Sequence, residues 1–253
     1  MARKTIVRLP RYAEDDGKTI TLNELEFYYH EDTEDFKYKT GIIKKEDLKE
    51  DLVKKEKDTF SILEPSHADY IQNLKRKAQV MTLKDIGPII AYTGLNKSSK
   101  VIDAGTGSGS LAGALTAIAK EIRSYDSRED HLEAARKNLR NIDTSNLSLE
   151  VKDIKDKEQF PSGEFDVFTL DIKHPEQALE TAEKVLKKSG YLVVYSPHIT
   201  QIQSVKKKLP ENLVVVKTME IIEREWKVGD KILRPQTKDH GHTGFLCFIR
   251  KIF

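Results

Sequence analysis

Beyond residue 100 the chain alternates short apolar runs with stretches of helical period; before residue 68 its apolar positions fall in brief β-rich runs separated by turn residues. In the later part the runs predict strands at 100–103, 121–125, 147–152, 165–170, 191–196, 212–222 and 243–251. Between them Ser127 is expected to cap a helix reaching Leu139, with Asp130 at the capping-box position and Leu132, Ala135 and Leu139 on its buried face. Pro175 suits the first position of another helix, with Leu179, Ala182, Val185 and Leu186 inward and Ser189-Gly190 as its stop. A helix from Lys84 to Thr93 ends at Gly94. Strands alternating with helices imply a mostly parallel sheet with right-handed crossovers, and the closely spaced last strands imply an antiparallel hairpin at one edge.

The earlier part reads differently. Thr5–Leu9, Lys18–Leu22, Glu26–His30 and Phe36–Gly41 look like short strands. Lys44–Lys57 is a mixed charge run, read as a solvated loop or short helix, and Tyr70–Lys77 as a basic helix. The expected division is a small β-rich accessory domain over 1–68 and an α/β domain over 69–253.

Composition adds limits rather than an answer. The 253 residues carry 33% charged side chains and a net charge of only +2, so any nucleic-acid footprint must be local. The single cysteine, Cys247, excludes an intrachain disulfide and a cysteine-based zinc site and suits a reducing interior. No apolar run approaches the roughly 20 residues of a membrane span, and Met1-Ala2-Arg3-Lys4 leads into no signal core, so a cytoplasmic location is expected.

The chemistry concentrates where the first strand of the α/β part meets its helix, at Asp103-Ala104-Gly105-Thr106-Gly107-Ser108-Gly109-Ser110-Leu111. Open α/β sheets bind nucleotides at such a turn. The spacing is G-x-G-x-G, not the G-x-x-x-x-G-K-S/T of a phosphate-binding loop or the G-x-G-x-x-G of a dinucleotide site. With an acid two residues ahead, it resembles the first motif of S-adenosylmethionine-dependent methyltransferases. A carboxylate suits a cofactor whose methionine amino group is cationic, and bare backbone suits close approach. Asp126, ending the second strand, is placed to bind both ribose hydroxyls. Asp153, after the third, could meet the adenine amino group, with Ile154 beside it. Asp171, at the lip of the fourth, would face the transferred methyl group. There a carboxylate can accept the proton of an exocyclic amine and stabilise developing positive charge.

Several segments together resemble the archaeal and bacterial tRNA (adenine-N1)-methyltransferases of the T-loop. They are Lys75-Arg76-Lys77-Ala78-Gln79-Val80, Lys84-Asp85, the glycine loop, Ser124 to Asp130, Val193 to Pro197 and Gly241 to Leu246, with Tyr38-Lys39-Thr40-Gly41 near the start. The resemblance implies a doubly wound, mostly parallel seven-stranded Rossmann-like methyltransferase sheet with a small N-terminal β domain for RNA binding or assembly. It implies S-adenosylmethionine as cofactor, tRNA as partner and a homotetramer. By position, Gln79, the loop from Asp103 to Leu111, Asp126, Asp153 and Ile154 would hold the cofactor. Asp171 would be catalytic, with Tyr195 near the target base and His242 and Thr243 on the pocket rim. The chain departs from the family pattern at Thr82, where an aromatic is usual, and at Lys173, where a proline is usual.

Basic residues that could meet RNA are Lys75, Arg76, Lys77, Lys84, Lys173, His174, the run Lys206-Lys207-Lys208, Arg234, Lys238 and His240. His240 and His242 beside Asp239 lack a further ligand at metal-site spacing, so no metal is expected. Trp226 and Ile222 read as core or interface residues. The function expected is methyl transfer to N1 of a T-loop adenine at position 58, with 57 as a second target. The alternatives are a methyltransferase acting on a protein or small molecule, and a non-catalytic tRNA-binding subunit.

Overall fold

A computed structural model describes residues 3–16, 18–75, 80–229, 232–237 and 241–253. The chain divides into two units, Met1–Asn73 and Leu74–Phe253. Arg76 and Gln79, together with Lys77, Lys238, Asp239 and His240, lie outside the described residues.

The first unit is built on a four-stranded antiparallel sheet in which Arg3–Arg8 lies between Glu26–Glu31 and Asp58–Leu63, with Leu52–Lys55 at the far edge. Two hairpins, Arg11–Asp15 with Lys18–Asn23 and Phe36–Tyr38 with Gly41–Ile43, complete its strands. Its core holds Ile6, Phe36, Ile43, Leu48, Val53, Phe60 and Ile62. The charge run at 44–57 is therefore not a solvated loop. Its apolar members Leu48 and Val53 are buried, the second on a strand whose charged neighbours point outward. The helix predicted at 70–77 forms earlier, as His67–Gln72, because Ser66 and Asp69 make a reciprocal capping box there.

The second unit carries a seven-stranded sheet with β1 Lys100–Ala104, β2 Glu121–Asp126, β3 Leu147–Val151, β4 Phe165–Leu170, β5 Leu186–Ser196, β6 Leu213–Glu220 and β7 Phe245–Lys251, in the order β3-β2-β1-β4-β5-β7-β6. The first five run parallel, and β7 pairs antiparallel with both β5 and β6. Helices are α1 Leu83–Thr93, α2 Ser110–Leu115, α3 Glu129–Leu139, α4 Leu179–Val185 and α5 Ile199–Lys207. This is the expected α/β class, with the edge hairpin where predicted. The order reverses between β1 and β4, so the loops leaving these two strands flank the switch point at which such sheets bind ligands.

Several boundaries moved for local reasons. Arg128, not Ser127, is the residue ahead of α3, and it makes no side-chain cap; instead the Asp126 carboxylate accepts the Arg128 amide at 3.1 Å. Pro175 opens a 3₁₀ turn, Pro175–Gln177, before α4. Leu186, expected on that helix, starts β5, where it pairs with Phe165 before a bulge containing Ser189 at φ 70°. α5 was not predicted; its buried Ile202 and Val205 are two short signals in a polar stretch. Gly94 ends α1 in the left-handed region, as expected.

The core of this unit fills around Ile102, Phe165, Phe168, Val185, Leu192 and Ile249. Between β6 and β7 a hairpin, Trp226–Gly229 with Ile232–Pro235, leaves Trp226 56% and Ile222 70% exposed, which excludes them from the core. Phe168 is fully buried on the central β4. Phe168→Ala should therefore lower the unfolding free energy by about 3–5 kcal/mol in a guanidinium titration.

Candidate functional site

β1 delivers Asp103 to the switch point, 2% exposed, with its two neighbouring strands in register against it: Ser124 on β2 and Thr169 on β4. Both neighbours use that register. Ser124 Oγ donates to Asp103 Oδ2 at 2.7 Å and Thr169 Oγ1 to Oδ1 at 2.8 Å. A buried carboxylate is tolerated only with such partners. Burial still pushes its carboxyl above the usual range, and Asp126 adds to the rise against the pull of the two hydroxyls.

The glycine loop then turns tightly. Gly105 has φ 94°, and a Cβ placed on it would fall 2.0 Å from the Asp171 carbonyl oxygen. Only glycine lets the loop after β1 touch the loop after β4, and the Asp171 amide bonds the Ala104 carbonyl at 2.9 Å across the same gap. At Gly109, a Cβ would press on Ala135 and Leu139 of α3. Gly107 takes φ 54°, a Cβ on it would lie 3.8 Å from the Gly105 carbonyl oxygen, and its amide donates to Asp126 Oδ2 at 3.0 Å. The remaining loop residues turn their side chains to internal use. Thr106 Oγ1 bonds Ser124 Oγ, Ser110 Oγ donates to the Met81 carbonyl at 2.7 Å, and Ala104, Ser108 and Leu111 are buried.

Asp126 receives the Gly107 and Arg128 amides, and His131 Nδ1 lies 3.0 Å from its Oδ2. A carboxylate offers about four acceptor positions, so room remains for a further donor. A cleft of about 190 Å³ opens here. It brings together Gly105, Asp126, Asp153, Ile154, Lys173 and His174 of the sequence-predicted residues, and adds Tyr125, Lys152 and Ile172, which no motif singled out. Lys152 Nζ sits 5.2 Å from the Tyr125 ring centroid, a cation over an aromatic wall.

Asp171 lies at the lip of β4, half-buried. Burial, then the neighbouring Asp103 and Asp126, push its carboxyl up to about 7. Three acidic groups therefore crowd one end of the sheet at mutual electrostatic cost. A cation bound among them would relieve that cost, so the donor set fits a sulfonium carrying an amino group.

Tyr195 stands near the end of β5, 4% exposed, and its hydroxyl makes no well-aligned hydrogen bond among the described residues, with Thr243 the side chain in reach of it. Burial and then Asp85 raise its phenol to about 12, with Asp171 adding to the rise. Its ring fills the space over Gly244, where a Cβ would fall 2.6 Å from Tyr195 Cζ. His242 bridges two loops: Nδ1 faces the Glu220 carboxylate and Nε2 the Pro197 carbonyl. Two acceptors favour a doubly protonated ring, and these two partners hold its pKa above the ordinary histidine value. Thr243 lies beside it, bonded to Asp85.

One predicted feature is corrected. Lys84 is not a phosphate contact: its side chain is 5% exposed and its ammonium is spent on Asp85, Thr243 and the Ile221 carbonyl. Thr82, where the pattern expects an aromatic, is the residue capping α1 in extended conformation and donates its hydroxyl to Asp85 at 3.0 Å. Lys75, Lys206, Lys207, Lys208 and Arg234 are exposed. Thr169 escaped the sequence reading, and Ser124 entered it only as the first residue of a resembling segment, with no role; the available signal was a hydroxyl side chain within each strand.

The comparisons with known proteins agree with this geometry. Residues 59–234 match the family model described as the tRNA methyltransferase complex GCD14 subunit. A Methanocaldococcus jannaschii protein named tRNA (adenine(57)-N(1)/adenine(58)-N(1))-methyltransferase TrmI is 33% identical, covering 83% of this chain and 86% of its own. A Thermus thermophilus protein named tRNA (adenine(58)-N(1))-methyltransferase TrmI is 30% identical over 77% of this chain and 78% of its own. Among solved structures, the tRNA (m1A58) methyltransferase TrmI of Aquifex aeolicus superposes with a TM-score of 0.80 at 25% identity, covering 98% of this chain and 97% of that one. A SAM-dependent O-methyltransferase of Thermotoga maritima has the same TM-score at 23% identity, which speaks for the fold alone.

The crowding of carboxylates has a consequence for stability. In the native state the Asp171 carboxyl titrates near 7, whereas in the unfolded chain it titrates near the ordinary value of about 3.9. Between those values the native state holds a proton that the unfolded state has released, so stability falls as pH rises through this window. Asp171→Asn removes that loss. Its thermal midpoint should equal that of the parent chain near pH 4 and exceed it by a growing margin toward pH 8.

Proposed function

The chain belongs to the tRNA methyltransferase family described by the GCD14 subunit, and we propose that it transfers a methyl group from S-adenosylmethionine to N1 of adenine 58 in the T-loop of tRNA. Adenine 57, which the name of the archaeal relative includes, is the second target. The observation that carries this reading is the placement of Asp171, a carboxylate held near neutral pKa at the switch point, in reach of the glycine loop.

In this reading the main chain of 104–109, Asp126, Asp153 and Ile154 hold the cofactor, which supplies an electrophilic methyl group on sulfur when bound. Asp103 acts from behind, fixing the loop and adding negative potential for the cationic methionine end. Gln79 belongs to the same set by position. N1 of neutral adenine is a weak nucleophile, and alkylation there leaves the ring positively charged. Asp171 accepts a hydrogen bond from the exocyclic amine, favours the developing charge and takes the amine proton as the charge discharges. Tyr195 walls the base. Lys173 and His174, exposed at the cleft, meet backbone phosphates together with Arg76; His242 and Thr243 hold the rim. Lys75 and the Lys206–Lys208 run extend the basic surface.

The 1–68 region is proposed as an accessory domain for RNA contact or assembly. Self-association to a homotetramer is supported by the exposed apolar hairpin carrying Trp226, Val228 and Leu233. No helix among the described residues is long and apolar enough to cross a membrane, which suits a tRNA-modifying enzyme of the cytoplasm.

The deciding experiment is incubation with unmodified tRNA and labelled cofactor, followed by nucleoside mapping; label at N1 of adenine 58 is expected. Asp171→Ala should keep cofactor binding and lose turnover by about 10²–10⁴-fold. Undiminished turnover in that variant would remove Asp171 from the mechanism. Cofactor binding should also release protons near pH 6–7, because a bound cation lowers the Asp171 pKa from about 7. Calorimetry in buffers of different ionisation enthalpy reads that release, which Asp171→Asn should abolish.

A further inference from the structure

Lys84 and Asp85 open α1, and the mechanism above gives them no task. Their side chains are 5% and 0% exposed and bonded to each other at 2.9 Å. The Lys84 ammonium also donates to the Ile221 carbonyl at 2.8 Å and to the Thr243 hydroxyl. The other Asp85 oxygen accepts the Thr82 hydroxyl at 3.0 Å and the Thr243 hydroxyl at 2.8 Å. A buried ion pair repays its desolvation only when its remaining donors and acceptors are satisfied. Here all three ammonium hydrogens are used, and the carboxylate receives three donors.

Thr243 stands at the centre of this arrangement. Its oxygen takes Lys84 and its proton goes to Asp85, so the hydroxyl cannot rotate freely. One lone pair on its oxygen stays uncommitted. Beside it is the Tyr195 hydroxyl, buried and without a well-aligned hydrogen bond among the described residues, with Thr243 the side chain in hydrogen-bonding reach of it. The Tyr195 ring is seated over Gly244, the residue next to Thr243, so ring and hydroxyl approach the same short segment. A buried unpaired phenol costs free energy unless something takes its proton or lends it one.

We propose that Lys84, Asp85 and Thr243 are positioning residues for Tyr195: the uncommitted lone pair of Thr243 accepts a hydrogen bond from the phenol, and the phenol oxygen then presents its own lone pairs to a donor on the target base. The donor available on adenine is the exocyclic amine, the group that Asp171 also addresses. The ion pair makes this orientation permanent, because a Thr243 hydroxyl already donating to Asp85 cannot donate to Tyr195. Tyr195 thus serves as acceptor in the base site and not as donor. This rests on the reading that Tyr195 lies against the base.

A double-mutant cycle on the full chain, with unmodified tRNA as substrate, tests it. Tyr195→Phe and Thr243→Val should each lower kcat tenfold or more, with the Kd for S-adenosylmethionine measured by calorimetry staying within twofold. Thr243→Ser should recover most of the loss. The double variant should be no slower than Tyr195→Phe alone, because both changes delete one orientation of one hydroxyl. Losses that multiply would overturn the positioning role while leaving Tyr195 at the base. So would a Thr243→Val enzyme with the parent kcat. A Tyr195→Phe enzyme of undiminished kcat would remove both the role of Tyr195 and the relay behind it. If Thr243→Val does not fold, as a thermal melt would show, Thr243→Ala takes its place and the same non-additivity is required.

Discussion

Three carboxylates at the carboxyl ends of β1, β2 and β4 repel one another across a few residues of backbone, and the rest of the second unit is arranged to keep them there. Asp103 survives burial because each flanking strand supplies a hydroxyl in register with it. Asp126 is held by amides of the glycine loop and of the turn into α3. Asp171 has neither kind of support among the described residues, so burial and then the repulsion appear in its pKa. Mutual repulsion of this kind is relieved by a cation placed among the three groups. Preorganised charge of this kind is the usual source of the largest catalytic effect.

Geometry enforces the crowding. The loop after β1 and the loop after β4 touch through Gly105 and the Asp171 carbonyl, closer than any side chain permits. The same contact sets how far the glycine loop stands from the Asp171 carboxylate. α3 approaches the loop from the other side over Gly109. The glycines thus have different duties. Gly105 and Gly109 give up a side chain so that protein can come close, and Gly107 leaves space for something else.

The opposite wall, built from α1, the end of β5 and the segment before β7, is polar in its interior. Thr82 illustrates how a departure from a family pattern can be read. An aromatic at that position would offer a surface to a base; threonine instead caps α1 and joins the network around Asp85. Lys84, which looked like part of an RNA-binding cluster, is drawn inside by the same network.

Local sequence determined what local physics decides. Alternating apolar runs announced the seven strands of the sheet, Gly94 the end of α1, and the acid-plus-glycine stretch the tight turn after β1, because hydrophobic period and backbone permissiveness need no knowledge of distant residues. Tertiary structure decided whatever depends on a partner far along the chain. Ser124 and Thr169 acquire meaning only in register with Asp103. Leu48 and Val53 turn a charged run into core and strand because other strands cover them. Lys84 became an internal cation because Thr243 and Ile221, more than a hundred residues away, came to meet it. Asp171 titrates near 7 because folding buries it and gathers two other acids around it, and neither effect depends on nearness along the chain.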